Sequence, residues 1–358
     1  MAQITLSDLA HSYVHNGAET GDFALKTLNH VWQDGGAYAL LGPSGCGKTT
    51  LLNIISGLIT PSRGRVLFDG VDMTESPAET RNIAQVFQFP VVYDTMTVRE
   101  NLAFPLKNRG LARAAIQARV ALIAEMMGLG EILDRKARGL PADAKQKISL
   151  ARGMVRESVN AILFDEPLTV IDPQLKWELR TQLKSLHREL RHTMIYVTHD
   201  QVEALTFADT VVMMHEGRVL QTGTPESLFE TPAHTFVGHF IGSPGMNFLE
   251  AKIEGSRGVI NGQCFPLGAS YRTASGFTQI GIRPEYIQFS ADEGLPVVVK
   301  HVEDVGRRRI VHAELANSPI SVSVPEGQFF DNTMARVRFI PDKINIFVDD
   351  WRVQGEAL

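Results

Sequence analysis

The sequence predicts an α/β domain over residues 1–235, followed by a small all-β domain over residues 236–358. Two patterns predict this division. Through the first part, short apolar runs alternate with stretches of helical period, which is typical of domains with a mainly parallel sheet. Beyond it, short alternating segments are broken by Gly, Pro and Asn, which indicates a compact β-barrel. A chain of 358 residues is long enough for each part to have its own core.

The individual elements are predicted from apolar runs that end at turn-forming residues. In the first part we expect strands at 37–41, 83–87, 161–164 and 194–198, and helices at 48–58, 112–127 and 174–191. Gly57 and Gly128 are expected to stop the first two helices. In the second part the strand segments are predicted at 259–262, 280–283, 297–302, 310–315, 320–324 and 335–339.

The composition excludes several classes of protein. A net charge of −5 is not that of a nucleic-acid coat, and the short run Arg307–Arg309 is interpreted as a solvated strand or turn. Cys46 and Cys264 are far apart, so no structural disulfide is expected, which suits a reducing compartment. The N-terminus lacks the pattern of a secretory signal, and no apolar run could span a bilayer. We expect the chain to be cytosolic, or held at a membrane only by a partner.

A glycine-rich turn lies between the strand at 37–41 and the helix at 48–58, and it matches the pattern G-x-x-x-x-G-K-[ST]. Its glycines let main-chain N–H groups face phosphate oxygens, and the helix adds the positive end of its dipole. The Lys48 ammonium suits the β- and γ-phosphates, and the Thr49 hydroxyl suits Mg²⁺. The nucleotide-binding residues predicted here are Gly42, Pro43, Ser44, Gly45, Cys46, Gly47, Lys48, Thr49 and Thr50.

Two carboxylates follow the apolar run 161–164, at the end of a strand where open α/β sheets bind ligands. Asp165 is predicted to hold the Mg²⁺ shell, and Glu166 to orient and polarise the attacking water as general base. Two adjacent carboxylates can also be a solvated strand end, but the phosphate-binding turn upstream favours the catalytic interpretation.

With these motifs the chain resembles the ATP-binding subunits of ATP-binding-cassette transporters, and more narrowly the sugar-importer branch with a C-terminal regulatory β-domain. The resemblance covers essentially the whole chain. It implies a P-loop NTPase domain with a helical subdomain, then an OB-like, transport-associated domain. The matching segments are Leu58–Gly64, Val86–Gln88, Met96–Leu102, Thr198–Ala204 and Gly281–Glu285.

The resemblance assigns roles to further residues. Tyr13 falls where an aromatic ring stacks on adenine, although a core tyrosine remains an alternative. Gln88 falls at the loop glutamine that reaches Mg²⁺ and the attacking water. His199 falls at the switch histidine that contacts the γ-phosphate, and Asp172 at a loop that communicates across a dimer. The implied cofactors are ATP and Mg²⁺.

The segment from Phe89 to Phe104 is apolar for a surface loop. In the family this region lines a groove that receives a coupling helix from a transmembrane subunit, which is ordinary helix-in-groove recognition. A small satellite core is the alternative. The resemblance therefore implies two permease subunits as partners, a substrate-binding protein indirectly, and a peripheral position on the cytoplasmic face of the bacterial plasma membrane.

The stretch "LPADAKQK", residues 140–147, departs from the family. The family signature reads Leu-Ser-Gly-Gly-Gln, and there the serine hydroxyl and glycine N–H groups bind the γ-phosphate of the facing subunit. Here Pro141 has neither hydroxyl nor N–H, and Asp143 carries a negative charge toward a phosphate. Proline and an acid still suit a helix start, so we expect the helix to be kept and its phosphate contact to be lost.

Because this chain's own nucleotide-binding residues are intact, we predict a heterodimer with a second ATPase that carries an intact signature. The altered stretch also looks like one of the two ATPases of bacterial glycerol importers, so the predicted cargo is glycerol or a related sugar or polyol. The alternatives are a homodimeric importer ATPase for sugar or glycerol 3-phosphate, and a regulatory subunit that binds ATP without hydrolysis. A cassette ATPase of translation or repair is disfavoured, because it would explain neither the β-domain nor the apolar segment.

Overall fold

The computed structural model describes residues 2–14, 23–169, 171–272, 276–327 and 334–357. Its contacts divide the chain into two compact units, Met1–Pro225 and Glu226–Leu358. The division therefore lies at Pro225 rather than at residue 235, where the sequence predicts it. Arg283 explains the difference, because its guanidinium donates to the carbonyl oxygens of Phe229, Gly238 and Ile241. The short helices that hold these carbonyls thus belong to the second unit.

The first unit contains two sheets and most of the helices. Its strands are β1 (Ile4–His11), β2 (Leu25–Trp32), β3 (Ala37–Leu41), β4 (Arg63–Phe68), β5 (Val71–Asp72), β6 (Ile83–Val86), β7 (Ala161–Asp165), β8 (Met194–Thr198), β9 (Thr210–His215) and β10 (Arg218–Gly223). Its helices are α1 (Lys48–Ser56), α2 (Val98–Lys107), α3 (Arg113–Met126), α4 (Ala142–Met154), α5 (Pro173–Leu190) and α6 (Gln201–Phe207).

The larger sheet has the order β10-β9-β3-β8-β7-β6, and all its pairings are parallel except that of β10. The other sheet, β2-β1-β4-β5, is antiparallel. Strands β3, β7 and β8 are almost wholly buried apolar runs, as expected for a sheet covered on both faces. Because these strands run in parallel, their carboxyl ends meet at one edge, and the predicted site residues follow them there.

The predicted elements of the first unit are found with small shifts at their ends. Strands β3 and β8 have the predicted bounds, and β6 and β7 differ by one residue. Helix α1 ends before Gly57, which has φ 83° and donates its N–H to the carbonyls of Asn53 and Ile54. That left-handed turn stops the helix two residues before the predicted end at Leu58.

The second unit begins with α7 (Pro225–Glu230) and α8 (Thr235–Phe240), and strands make up most of its other described elements. The strands are β11 (Asn247–Glu250), β12 (Lys252–Ile260), β13 (Gln263–Tyr271), β14 (Thr278–Ile282), β15 (Ile287–Ser290), β16 (Leu295–Asp304), β17 (Arg308–Leu315), β18 (Ser318–Pro325), β19 (Met334–Phe339), β20 (Asn345–Val348), β21 (Trp351–Val353) and β22 (Glu356–Ala357). They form sheets of the orders β11-β14-β20-β21, β12-β13-β22 and β15-β19-β16-β17-β18, around one apolar core. The α/β and all-β assignment is confirmed.

None of the helices in the described ranges combines the length and hydropathy needed to cross a membrane.

Candidate functional site

The turn between β3 and α1 has positions where only glycine fits. Gly47 has φ 100°, and a Cβ there would lie 2.5 Å from the carbonyl oxygen of Ala24. A Cβ on Gly42 would lie 2.2 Å from the carbonyl oxygen of Met214. These close approaches explain why the turn is glycine-rich. Ser44 and Gly45 are exposed at its apex, while the Cys46 side chain is buried, which raises the pKa of its thiol.

Lys48 is the first residue of α1, and its ammonium lies back over the loop. The side chain is 4% exposed, and Nζ donates to the carbonyl oxygens of Gly42 and Pro43, both at 2.9 Å. Within the described residues no side chain caps the N-terminus of α1. A fixed cation and uncapped N–H groups therefore lie together, an arrangement that suits an anionic ligand.

Thr49 and Asp165 are brought together from different elements. The Thr49 hydroxyl, in the first turn of α1, donates to Asp165 Oδ1 at 3.2 Å. Burial raises the pKa of Asp165, and nearby Glu166 raises it further, whereas the Thr49 hydrogen bond and the charge of Lys48 lower it. A half-buried carboxylate beside a hydroxyl is an oxygen-only donor set of the kind that Mg²⁺ prefers, so these residues fit that ion.

Glu166 and His199 form the second pair at this edge. His199 Nδ1 lies 3.0 Å from Glu166 Oε2, and the Thr169 hydroxyl donates to the same oxygen at 3.2 Å. The main-chain N–H of Glu166 donates to Val197 of β8, and its φ is 45°. The Glu166 carboxylate is therefore held against His199 both by the main-chain hydrogen bond to Val197 and by the hydroxyl of Thr169.

Glu203 is a buried carboxylate that sequence reasoning missed. It is 3% exposed on α6 and accepts hydrogen bonds from the hydroxyls of Tyr196 at 3.0 Å and Thr198 at 2.8 Å. Lys176 Nζ lies 3.6 Å from its other oxygen. Because Thr198 directly precedes His199, this network fixes the strand end that carries the histidine. A single glutamate in a helix has no spacing pattern that would reveal such a role.

Tyr13 lies beside the phosphate-binding turn. Its hydroxyl is 3.0 Å from Thr50 Oγ1, its ring contacts His11 edge-on, and the residue is 60% exposed. The core alternative for Tyr13 is therefore wrong. Gln88 is half-buried, two residues beyond the end of β6 at the same sheet edge. Within the described residues no hydrogen bond joins Gln88 to the other predicted site residues.

Helix α4 begins within residues 140–147, the stretch that departs from the family, as predicted. Pro141 is its N-cap residue, without a side-chain cap hydrogen bond in the described structure, and Asp143 lies in the first turn. One turn on, the buried Gln146 Nε2 donates to the carbonyl oxygen of Pro167 at 2.5 Å. The helix is thus attached to the segment that directly follows Glu166 in the same chain.

The apolar segment after Gln88 divides between surface and interior. Phe89 is 67% exposed and Val91 is 50% exposed, whereas Leu102 is fully buried in α2. Tyr93 lies between them, with its ring 4.8 Å from that of Phe104 and under the guanidinium of Arg152. The exposed apolar side chains are therefore confined to the first part of the segment, and Leu102 belongs to local core.

Helix α4 also anchors this exposed loop. Arg152 donates to the carbonyl of Val91, and Lys145 Nζ lies 2.8 Å from Asp94 Oδ1. Asn101 of α2, fully buried, accepts from the N–H of Tyr93 at 2.8 Å. The loop and the helix with the altered signature therefore form one connected structure.

Comparisons with known proteins identify the family of this chain. The ABC transporter family model matches residues 25–169, and the TOBE domain model matches residues 280–347. The chain is 37% identical to the sn-glycerol-3-phosphate import ATP-binding protein UgpC of Jannaschia sp. (strain CCS1), over 98% of this chain and 99% of that protein. It is 41% identical to the uncharacterized ABC transporter ATP-binding protein y4oS of Sinorhizobium fredii, over 86% of this chain and 82% of that one.

Among solved structures, it is similar to cbiO1 from Clostridium perfringens, part of the ABC transporter complex cbiONQ. The TM-score is 0.57 at 29% identity, over 64% of this chain and 90% of that chain. These similarities extend over nearly the full length of the chain. They agree with the presence of the phosphate-binding turn, the paired carboxylates and the all-β second unit. The chain belongs to the ATP-binding proteins of ABC transporters, as an ATPase domain followed by a TOBE domain.

Proposed function

We propose that this chain binds ATP at the edge of β3, β7 and β8 and hydrolyses it to drive import through a membrane permease. The observation that carries the proposal is the convergence of Thr49 with Asp165 and of Glu166 with His199, from α1 and the ends of β7 and β8, three elements distant in sequence. The alternative of a subunit that binds ATP without hydrolysis is weakened, because the proposed base Glu166 is present and lies in hydrogen-bonding contact with His199.

Each residue has a distinct part in the proposed reaction. Lys48 and the N-terminus of α1 bind the phosphates, and Tyr13 offers its exposed ring to adenine. Glu166 accepts the proton of the attacking water, and His199 holds that carboxylate while its other nitrogen faces outward for a phosphate oxygen. The Mg²⁺ supplies charge neutralisation on the phosphates. The residues proposed to hold it are Thr49, Asp165 and Gln88.

The proposed cargo is sn-glycerol 3-phosphate, glycerol or a related polyol or sugar. Support comes from the relatives, several of which are named as sn-glycerol-3-phosphate import ATP-binding proteins. We propose that Phe89 and Val91 contact the two permease subunits, since both are exposed on an anchored loop. The chain would then lie on the cytoplasmic face of the membrane, with a substrate-binding protein acting from the other side.

We further propose that the working unit pairs this chain with a second ATPase that carries an intact signature. The support is the start of α4, where Pro141 lacks an N–H and Asp143 adds a negative charge. A carboxylate about 5 Å from a phosphate charge costs about 3 kcal/mol at an effective dielectric of 20. A homodimer would contain this defect in both sites. A heterodimer has one good site, made from the nucleotide-binding residues of this chain and the partner's signature.

The hydrolysis proposal is tested by Glu166→Gln in the transporter complex isolated through a tag on this chain. Loss of the base is expected to lower the ATPase rate by at least about 10²-fold while leaving ATP binding nearly unchanged. The matched control is Glu178→Gln, an exposed carboxylate on α5. A Glu166→Gln complex that hydrolyses ATP at the control rate would show that Glu166 is not the base.

A further inference from the structure

The second unit carries a cluster of three metal-ligating side chains outside the nucleotide site. His301 and Glu303 are two residues apart on β16, so they share one face of the sheet, and His312 lies directly opposite His301 on β17. Glu303 Oε1 is 3.3 Å from His301 Nε2 and 3.5 Å from His312 Nε2. One ligand atom from each residue lies within 4.8 Å of the other two.

A β-bulge makes this convergence possible. The pairing of β16 and β17 shifts between Val299 and His301, which leaves Lys300 as the extra residue. In an unshifted register Lys300 would face His312, and the two histidines would lie on opposite faces. Lys300 Nζ is instead 2.9 Å from Glu314, so its charge is already matched by a carboxylate.

His312 is oriented by a second layer of hydrogen bonds. Its Nδ1 is 3.3 Å from Ser321 Oγ, and the N–H of Ser321 donates to Asn247 Oδ1 at 2.7 Å. Its Nε2 is buried and, among the described residues, has no hydrogen-bond partner. When Nδ1–H donates to Ser321, the lone pair of Nε2 faces the Glu303 carboxylate, which is how metal-binding histidines are commonly held.

We propose that His301, Glu303 and His312 bind a Zn²⁺ ion. Two imidazoles and a carboxylate are a zinc donor set that leaves a fourth position for water. Ligands about 2.0–2.1 Å from a tetrahedral ion lie about 3.3 Å apart, close to both carboxylate–imidazole distances here. The two rings are now stacked, with centroids 4.3 Å apart and planes 14° apart, so they must splay for both lone pairs to reach one ion. The ion would link β16 to β17 beside the bulge.

The test is calorimetric titration of the metal-free full chain with Zn²⁺ alone, in parallel for wild type and variants. We expect wild type to show a site of 1:1 stoichiometry that His301→Ala lacks. Ser321→Ala should weaken the site by about 10-fold or more, because it removes only the support for His312. His239→Ala, an exposed histidine on α8, is the matched control and should bind as wild type does.

Two results would overturn the proposal: no 1:1 zinc site in wild type, or the same site in His301→Ala as in wild type. The second would mean that the ion binds elsewhere, for example at Asp165 and Glu166, and that the cluster is only an ion pair across two strands. Because His301 is exposed, its removal should leave the fold intact, and circular dichroism of each variant without metal checks this.

Discussion

Glu166 adopts a backbone conformation that residues with a Cβ seldom adopt, with φ at 45°. Such a conformation costs on the order of 1–3 kcal/mol and persists only where the surroundings enforce it. Here the N–H bond to Val197 and the side-chain contacts with His199 and Thr169 enforce it. This backbone conformation directs the Glu166 side chain to the ligand edge of the sheet. Its cost is therefore consistent with a role of this carboxylate in chemistry.

His192, between α5 and β8, predicts how the stability of the first unit changes in acid. The residue is 3% exposed, and burial lowers the pKa of its imidazole from 6.5 to about 4. Above pH 6.5 both folded and unfolded chains are neutral there. Below it only the unfolded chain takes up the proton, so stability falls until pH is near 4. From pH 7.5 to 5 we expect His192 to account for about 2 kcal/mol of lost unfolding free energy.

The measurement is urea unfolding followed through the buried Trp32, at both pH values, for wild type and His192→Asn. The variant should lose about 2 kcal/mol less than wild type between the two pH values, whatever its stability at pH 7.5. His239→Asn, in the other unit, is the control and should match wild type. If wild type and His192→Asn lose the same unfolding free energy between pH 7.5 and 5, the lowered pKa of His192 does not account for the loss.

At the scale of elements, a buried arginine joins helix ends to loops in each unit. Arg81 is 1% exposed and donates to the carbonyl oxygens of Ile54 and Ile55 at the end of α1, and to those of Ser76 and Thr74. Arg283 does the same for α7 and α8 in the second unit. Helix α1, which carries Lys48 and Thr49, is therefore held at its far end by a single cation.

Replacing Arg81 with Met should destabilise the first unit strongly. The change removes the Arg81 donor from four carbonyl oxygens, two of them buried, although the Ile54 oxygen keeps the N–H of Gly57. Each buried oxygen left without a donor costs about 1–3 kcal/mol before relaxation. We expect the unfolding free energy to fall by at least about 3 kcal/mol, measured by urea titration with Trp32 as the probe. Arg65→Met, on the exposed side of β4, is the control and should change it by less than about 0.5 kcal/mol. A small effect at both positions would contradict this account of α1.

The elements that the sequence predicts well are those whose signal is local. β3 and β8 are continuous apolar runs, so their bounds could be predicted directly. Gly57 stops α1 by its own conformation, so the end of this helix could be predicted to within two residues. The hydrogen bonds of Arg81 could not be predicted in this way, because some of its partners lie in α1, which is distant in sequence. The attachment of Gln146 to Pro167 is equally non-local. Sequence reasoning likewise extended the apolar surface too far, since period alone does not separate the exposed Phe89 from the buried Leu102.

At the scale of the whole molecule, the first unit holds the residues proposed for one half of a nucleotide site. At the start of α4, where the resemblance places the signature of the other half, the helix is kept, with Pro141 at its N-cap and Asp143 in its first turn. Helix α4 is attached to the segment after Glu166 and to the exposed loop at Val91. The proposed defect therefore concerns only the direct contact of α4 with ATP.

The central claim, that two copies of this chain cannot complete each other's nucleotide sites, is tested by restoring the signature. The chain carrying Pro141→Ser, Ala142→Gly, Asp143→Gly and Ala144→Gln is compared with wild type, each purified alone. The control adds Glu166→Gln to the restored chain and should remove any gain. We measure the ATPase rate at saturating ATP. Removal of about 3 kcal/mol of repulsion predicts a rise of about 10²-fold. A wild-type chain that alone hydrolyses ATP as fast as the restored one would contradict the claim.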